Sequence, residues 1–222
     1  WYNQIFRNIC VSEISKKYDL YVKYSNYDKI NNKLGITLYS GENKYEETIV
    51  LNDNNYFEIF NSGNLTFNLN SDKAYFQTKD ISDFVYNLFK TKYKKKIMNT
   101  NMFKSRYDNN NDIFIHIRLG DVRSKNPGIQ YYLNALKHIK DYDNIIISSD
   151  SPNHIFVREL LKNNRAKLLI DDEIKTIQFG STCKYLILSG GTFSCIIGYM
   201  GYYSTIFYPN SDIVRQKEMV WH

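Results

Sequence analysis

The sequence predicts an α/β protein whose second half is a doubly wound parallel sheet, and three observations carry that prediction. Ile113-Phe114-Ile115-His116-Ile117 is a continuous apolar run bounded by Asp112 and Arg118, as expected of a strand buried on both faces. From there to about residue 208, short apolar runs alternate with helical patterns across brief connections, the signature of a parallel sheet with crossover helices. Polar and glycine-containing clusters recur where the predicted strands end, which is where open α/β sheets bind ligands.

The elements follow in order. Ile5, Phe6, Ile9, Cys10 and Ile14 recur at three- and four-residue steps, predicting a helix over about 3–18. Residues 19–24 read as a short strand, and so do 36–39, 48–51 and 56–59, divided by polar turns. Asp80 is placed to cap a helix through Ile81, Phe84, Val85, Leu88 and Phe89. The lysine run at Lys90, Lys92, Lys94, Lys95 and Lys96 and the Asn-rich stretch to about 112 form the candidate junction between two domains, 1–108 and 109–222. Beyond it the pattern predicts strands at 113–117, 144–148, 167–170, 185–188 and 204–208. Helices are predicted at 131–139, 155–161, 174–183 and 192–200.

Composition bounds the function. The 222 residues are 43% hydrophobic and 23% charged, a globular composition. No run approaches the eighteen apolar residues of a membrane span and no signal-peptide pattern opens the chain, so no membrane span is expected. The net charge of +6 comes mostly from the one lysine run, and the remainder is near neutral. A nucleic-acid partner is therefore not expected, because such proteins show a broader basic face. Cys10, Cys183 and Cys195 form no CxxC pattern, and the four histidines have no ligand spacing, so neither a disulfide framework nor a metal site is expected. With no signal and no disulfide framework, a cytoplasmic location is favoured.

Three strand ends carry the candidate chemistry. In Ser189-Gly190-Gly191-Thr192-Phe193-Ser194 two glycines permit close backbone approach, and the following helix start favours an anion. The alternative is a tight turn capped by Thr192. His116 and Arg118 stand two apart at another strand end, on one side of the chain. A guanidinium there suits bidentate contact with phosphate oxygens. The alternatives are an Arg118–Asp121 structural ion pair and a satisfied core histidine. The third end is Ser148-Ser149-Asp150.

His116-Ile117-Arg118-Leu119-Gly120-Asp121 resembles the HxRxGD element of inverting fucosyltransferases, especially the α-1,2-fucosyltransferase family 11. Further landmarks resemble that family in the same order: Tyr131-Tyr132-Leu133-Asn134-Ala135, Ile147-Ser148-Ser149-Asp150, Cys183-Lys184-Tyr185, then Thr192-Phe193-Ser194 with Gly198. Asn3-Gln4-Ile5-Phe6 resembles the family's Gly-x-x-Asn-Gln loop. The pattern departs at Leu119, Val122 and Thr176, where the family has a second Arg, an aromatic and an Asp, and at Tyr2, where it has Gly.

The resemblance implies a GT-B-like fold of two Rossmann-like domains, with acceptor binding in 1–108 and donor binding in 109–222. It implies metal-independent, inverting transfer of fucose or a related deoxysugar from a nucleotide diphosphate sugar, GDP-fucose favoured, to a glycan hydroxyl, with no other cofactor. Arg118 would stabilise the leaving β-phosphate, and His116 would contact the nucleotide or place the acceptor. Gly191, Thr192, Phe193 and Ser194 would hold the pyrophosphate and base. Asp150 would be a further nucleotide contact, Asn3 and Gln4 would line the cleft, and Asp121 is the candidate general base. The alternative function is a non-catalytic nucleotide- or glycan-binding module of the same fold.

Overall fold

The computed structural model describes residues 3–24, 28–71, 74–120 and 126–209, in which the chain forms two compact units. They divide between Lys96 and Ile97.

The first unit is built on α1 (Asn3–Tyr18), whose Ile5, Phe6, Ile9, Cys10 and Ile14 are fully buried as their spacing predicts. Ser15 Oγ donates to Leu20 O at 2.6 Å just beyond the helix end. Asp19 turns the chain with φ +53°, and Gly41 lies flush against its carbonyl. A Cβ on Gly41 would stand 2.2 Å from that carbonyl carbon, so only glycine fits. The strand predicted at 19–24 is reduced here to a single bridge between Leu20 and Asn43.

The predicted strand at 36–39 is also absent, because its amides are satisfied elsewhere. Ile36 N donates to Asn31 O, beside α2 (Asp28–Lys33), and Tyr39 N donates to Ser12 Oγ of α1. The strand predicted over 48–51 is present as β1 (Thr48–Val50). Residues predicted extended from Tyr56 are instead α3 (Tyr56–Asn61). Asn52 Oδ1 accepts from the amides of Asn54 and Asn55, while Asn55 Oδ1 accepts from Asn52 N. That reciprocal asparagine turn starts the helix, and Tyr56 and Ile59, three apart, share its buried face.

β1 pairs in parallel with β2 (Asn68–Asn70). α4 (Lys79–Lys90) buries Ile81, Val85 and Phe89, with Thr78 and not Asp80 at its cap position. Around Tyr56 the rings of Phe57, Phe60, Phe76 and Phe84 stand 5.0–6.0 Å from its centroid, forming an aromatic core. α5 (Lys94–Thr100) spans the division between the units. Residues 97–108 belong to the second unit, where Asn101 Nδ2 donates to Gln178 O and Arg106 pairs with Asp112 at 2.6 Å.

The second unit contains a five-stranded parallel sheet. Its strands are β3 (Ile113–Ile117), β4 (Ile145–Ser149), β5 (Ala166–Leu168), β6 (Tyr185–Leu188) and β7 (Thr205–Phe207), in the order β5-β4-β3-β6-β7. The helices are α6 (Ile129–Lys137), α7 (Ile155–Leu160), α8 (Glu173–Gly180) and α9 (Thr192–Met200). β3 is buried along its whole length, as its unbroken apolar run predicts.

Alternation along β3 sorts the two faces. Ile113, Ile115 and Ile117 join Ile145 and Ile147 of β4, Ile187 of β6, Tyr132 and Ala135 of α6, and Val157 and Leu160 of α7 in one core. Phe114 lies on the other face against Gly180 of α8, where a Cβ would come within 2.7 Å of its ring. Helices therefore cover both faces, and the unit is Rossmann-like α/β. The chain leaves β3 towards β4 on one side and, after β5, crosses to β6 on the other. The carboxyl ends of β3 and β6 thus form the topological switch point, the crevice where such sheets bind ligands. No helix among the described residues is long and apolar enough to cross a membrane.

Candidate functional site at the switch point

His116 and Ser189 meet at this crevice because β3 and β6 are hydrogen-bonded neighbours, with Ser189 N donating to His116 O at 3.1 Å. Being even-numbered on β3, His116 projects toward α9. Its Nδ1 lies 2.5 Å from Ser194 Oγ and 3.3 Å from Ser189 Oγ, and the two hydroxyls are 3.1 Å apart. The Phe193 ring stands 4.7 Å from the imidazole. His116, Ser189 and Ser194 are 4%, 1% and 0% exposed, so this knot lies beneath the surface of the site. Burial pushes the His116 pKa down to about 3; nearby Asp150 opposes the fall and Arg118 adds to it. The ring is therefore neutral at physiological pH.

Above the knot, Gly191 adopts φ +102° and opens α9. No L-residue sits comfortably there, and the helix start turns its first-turn amides toward the strand ends. Arg118, half-buried, crosses this turn: its Cδ lies 3.7 Å from the position a Cβ on Gly191 would occupy. The guanidinium stem from β3 and the glycine turn after β6 thus face each other. Thr192 is half-buried in the first turn of α9.

Residues 118–120, just past β3, are held on both sides. Asp150, at the end of β4, accepts from Leu119 N (2.8 Å) through Oδ1 and from Gly120 N (3.1 Å) through Oδ2. Asn126 Nδ2 donates to Arg118 O (2.9 Å) and to the Tyr132 hydroxyl (3.1 Å), while its Oδ1 accepts from Gly128 N. The Tyr131 hydroxyl donates to Leu188 O at the end of β6 (2.8 Å). Burial raises the pKa of both tyrosines, keeping both hydroxyls protonated.

The structure therefore brings together His116, Arg118, Asp150, Gly191, Thr192, Phe193 and Ser194. Asp121 lies outside the described residues. Asn3 and Gln4 belong to the first turn of α1 in the other unit, where Asn3 Oδ1 accepts from Gln77 Nε2 and Gln4 Oε1 accepts from Arg7 Nη1. Asn126 is a residue the sequence reading does not single out, although Asn126-Pro127-Gly128 is a turn signature.

Asp141-Tyr142-Asp143, two aspartates flanking a tyrosine, precedes β4 and so stands at the amino end of that strand, away from the switch point. Among the described residues, no three His, Cys, Asp or Glu side chains gather as metal ligands would. Comparison of the chain with protein-family models, with curated proteins and with solved structures gives no match.

Proposed function

We propose that the chain is an inverting, metal-independent glycosyltransferase that moves fucose or a related deoxysugar from a nucleotide diphosphate sugar to a glycan hydroxyl. GDP-fucose is the favoured donor, bound by the unit that begins at Ile97, with the acceptor taken by the unit that ends at Lys96 in a GT-B-like arrangement. The observation that carries the reading is the Arg118 stem lying over Gly191 at the switch point. It joins a fixed cation to a helix start in the crevice where Rossmann-like sheets hold phosphates.

Cleaving a glycosyl–phosphate bond builds negative charge on the leaving diphosphate. Donors already fixed in place stabilise that charge more than the ground state. In this reading Arg118 and the first-turn amides of α9 supply the stabilisation, and the Thr192 hydroxyl adds a donor. His116 and Ser194, being buried, brace the floor of the site. Arg118→Ala should lower transfer of sugar from GDP-fucose roughly 10²–10³-fold, the scale of losing one transition-state donor. Full transfer activity in that variant, with an active wild type, would refute the assignment.

A nucleotide- or glycan-binding module without turnover is the second reading, favoured by the burial of His116 against Ser189 and Ser194, which keeps the imidazole from an acceptor hydroxyl. A buried imidazole with a pKa near 3 is a poor proton acceptor for a sugar hydroxyl. Product analysis separates the two, since a module would bind nucleoside diphosphate yet leave every donor sugar intact.

A further inference from the structure

Asp150 is exposed at the end of β4, and each of its carboxylate oxygens accepts a backbone N–H of the neighbouring β3 loop. The first of these, Leu119 N–H, belongs to the same peptide unit as the carbonyl of Arg118. That carbonyl accepts from Asn126 Nδ2 at 2.9 Å, while the N–H of the same plane donates to Asp150 Oδ1 at 2.8 Å. One peptide plane is gripped at both ends, and β3 holds the other side of the Arg118 Cα, so the direction in which the stem leaves the backbone is fixed. The absence of a side chain at Gly120 lets the carboxylate lie flat on the loop, since a Cβ there would stand 3.0 Å from Oδ2.

We infer that Asp150 is a positioning residue: it locks the Arg118–Leu119 peptide plane so that the Arg118 stem lies over Gly191, and it does not itself touch the nucleotide. Two N–H donors already use its negative charge, and a carboxylate is a poor direct partner for a diphosphate. The inference deepens the proposed function, resting on the reading that this crevice takes a diphosphate.

Calorimetry on the full chain with two probes, inorganic pyrophosphate and GDP, tests it. Asp150→Ala should weaken both by the same factor, roughly tenfold, the scale of one lost charge-assisted hydrogen bond. In an Arg118→Ala background the same change should cost nothing further. Gly120→Ala provides a second route, because its methyl presses the carboxylate off Gly120 N without removing the charge. It should weaken both probes in the same direction but by less.

Weakening of GDP alone, with pyrophosphate unchanged, would mean a direct contact to ribose or base and would overturn the inference. So would a loss that adds in full to that of Arg118→Ala, or unchanged affinity for both probes. If the wild type binds neither probe, the diphosphate reading falls and takes this inference with it. Hydrogen exchange at Leu119 N–H in Asp150→Ala, which needs no ligand, then still reports whether the carboxylate holds the plane.

Discussion

The buried His116 makes the second unit sensitive to acid in a way that can be calculated. In the unfolded chain an imidazole titrates near its ordinary value of about 6.5, whereas burial holds the folded ring at about 3. A folded pKa below the unfolded one means that the unfolded state binds more protons between those values, so stability rises with pH there. The contribution is complete above about pH 6.5 and is lost progressively as the pH falls toward 3. Between pH 7 and pH 5 the loss amounts to about 2 kcal/mol, approaching a slope of about 1.4 kcal/mol per pH unit at the acid end.

His116→Asn keeps a polar atom near the position of Nδ1 and removes the titration. Its cavity and altered hydrogen bonds shift the whole stability curve by an amount independent of pH. The difference between wild type and variant should therefore shrink by about 2 kcal/mol from pH 7 to pH 5, with carboxylates common to both proteins cancelling. Hydrogen exchange of the Ile115 and Ile117 amides in β3 reads the stability of this unit directly. A difference that stays flat across that range, or an NMR titration of the His116 ring with its midpoint above pH 6, would refute the burial argument.

Three further outcomes follow from single positions. Gly180→Ala would bring a methyl to 2.7–3.0 Å of three Phe114 ring atoms. The overpacking cost of about 1–3 kcal/mol outweighs any gain in helix propensity, and Phe114→Leu in the same chain should restore part of the loss in a urea titration. Gly191→Ala meets only ordinary contact with Arg118 Cδ, so its cost is that of an L-residue at φ +102°, ψ +159°, about 1–3 kcal/mol, read as a lower midpoint in thermal unfolding. Asp112→Ala removes the partner of both Arg106 Nη2 (2.6 Å) and Asn144 Nδ2 (2.8 Å). It should destabilise the second unit by about 3 kcal/mol, the low end for a buried pair because the Arg106 side chain is a quarter exposed; Asp112→Asn, which keeps an acceptor, should cost less in the same chemical denaturation.

The second unit is legible in the sequence because its strands are buried on both faces. Ile113–Ile117 has no polar face to confuse, and alternation with helices of clear period fixes the parallel order. The first unit is less legible because asparagine side chains and local hydroxyls satisfy its backbone in place of ladders. Tyr56–Ile59 is β-like in composition, and the Asn52/Asn55 turn that converts it to a helix is visible only when the hydrogen bonds are traced. At the site, spacing places His116 and Arg118 on one side of a strand and a glycine turn at another strand's end. That β3 and β6 are neighbours is a matter of topology. The clamp by Asp150 and Asn126 joins residues 31 and 8 positions away from their partners, a separation that no local pattern encodes.

The central claim is a diphosphate site under Arg118, and ligand-induced stabilisation measures it most directly. At one hundred times its dissociation constant, a nucleoside diphosphate should add about 2.7 kcal/mol to the wild type. Thermal unfolding of wild type and Arg118→Ala, with GDP, UDP and dTDP in turn, should show a clear upward shift for one of them in the wild type and its near-complete loss in the variant. No shift with any of the three, or the same shift in both proteins, would contradict the account.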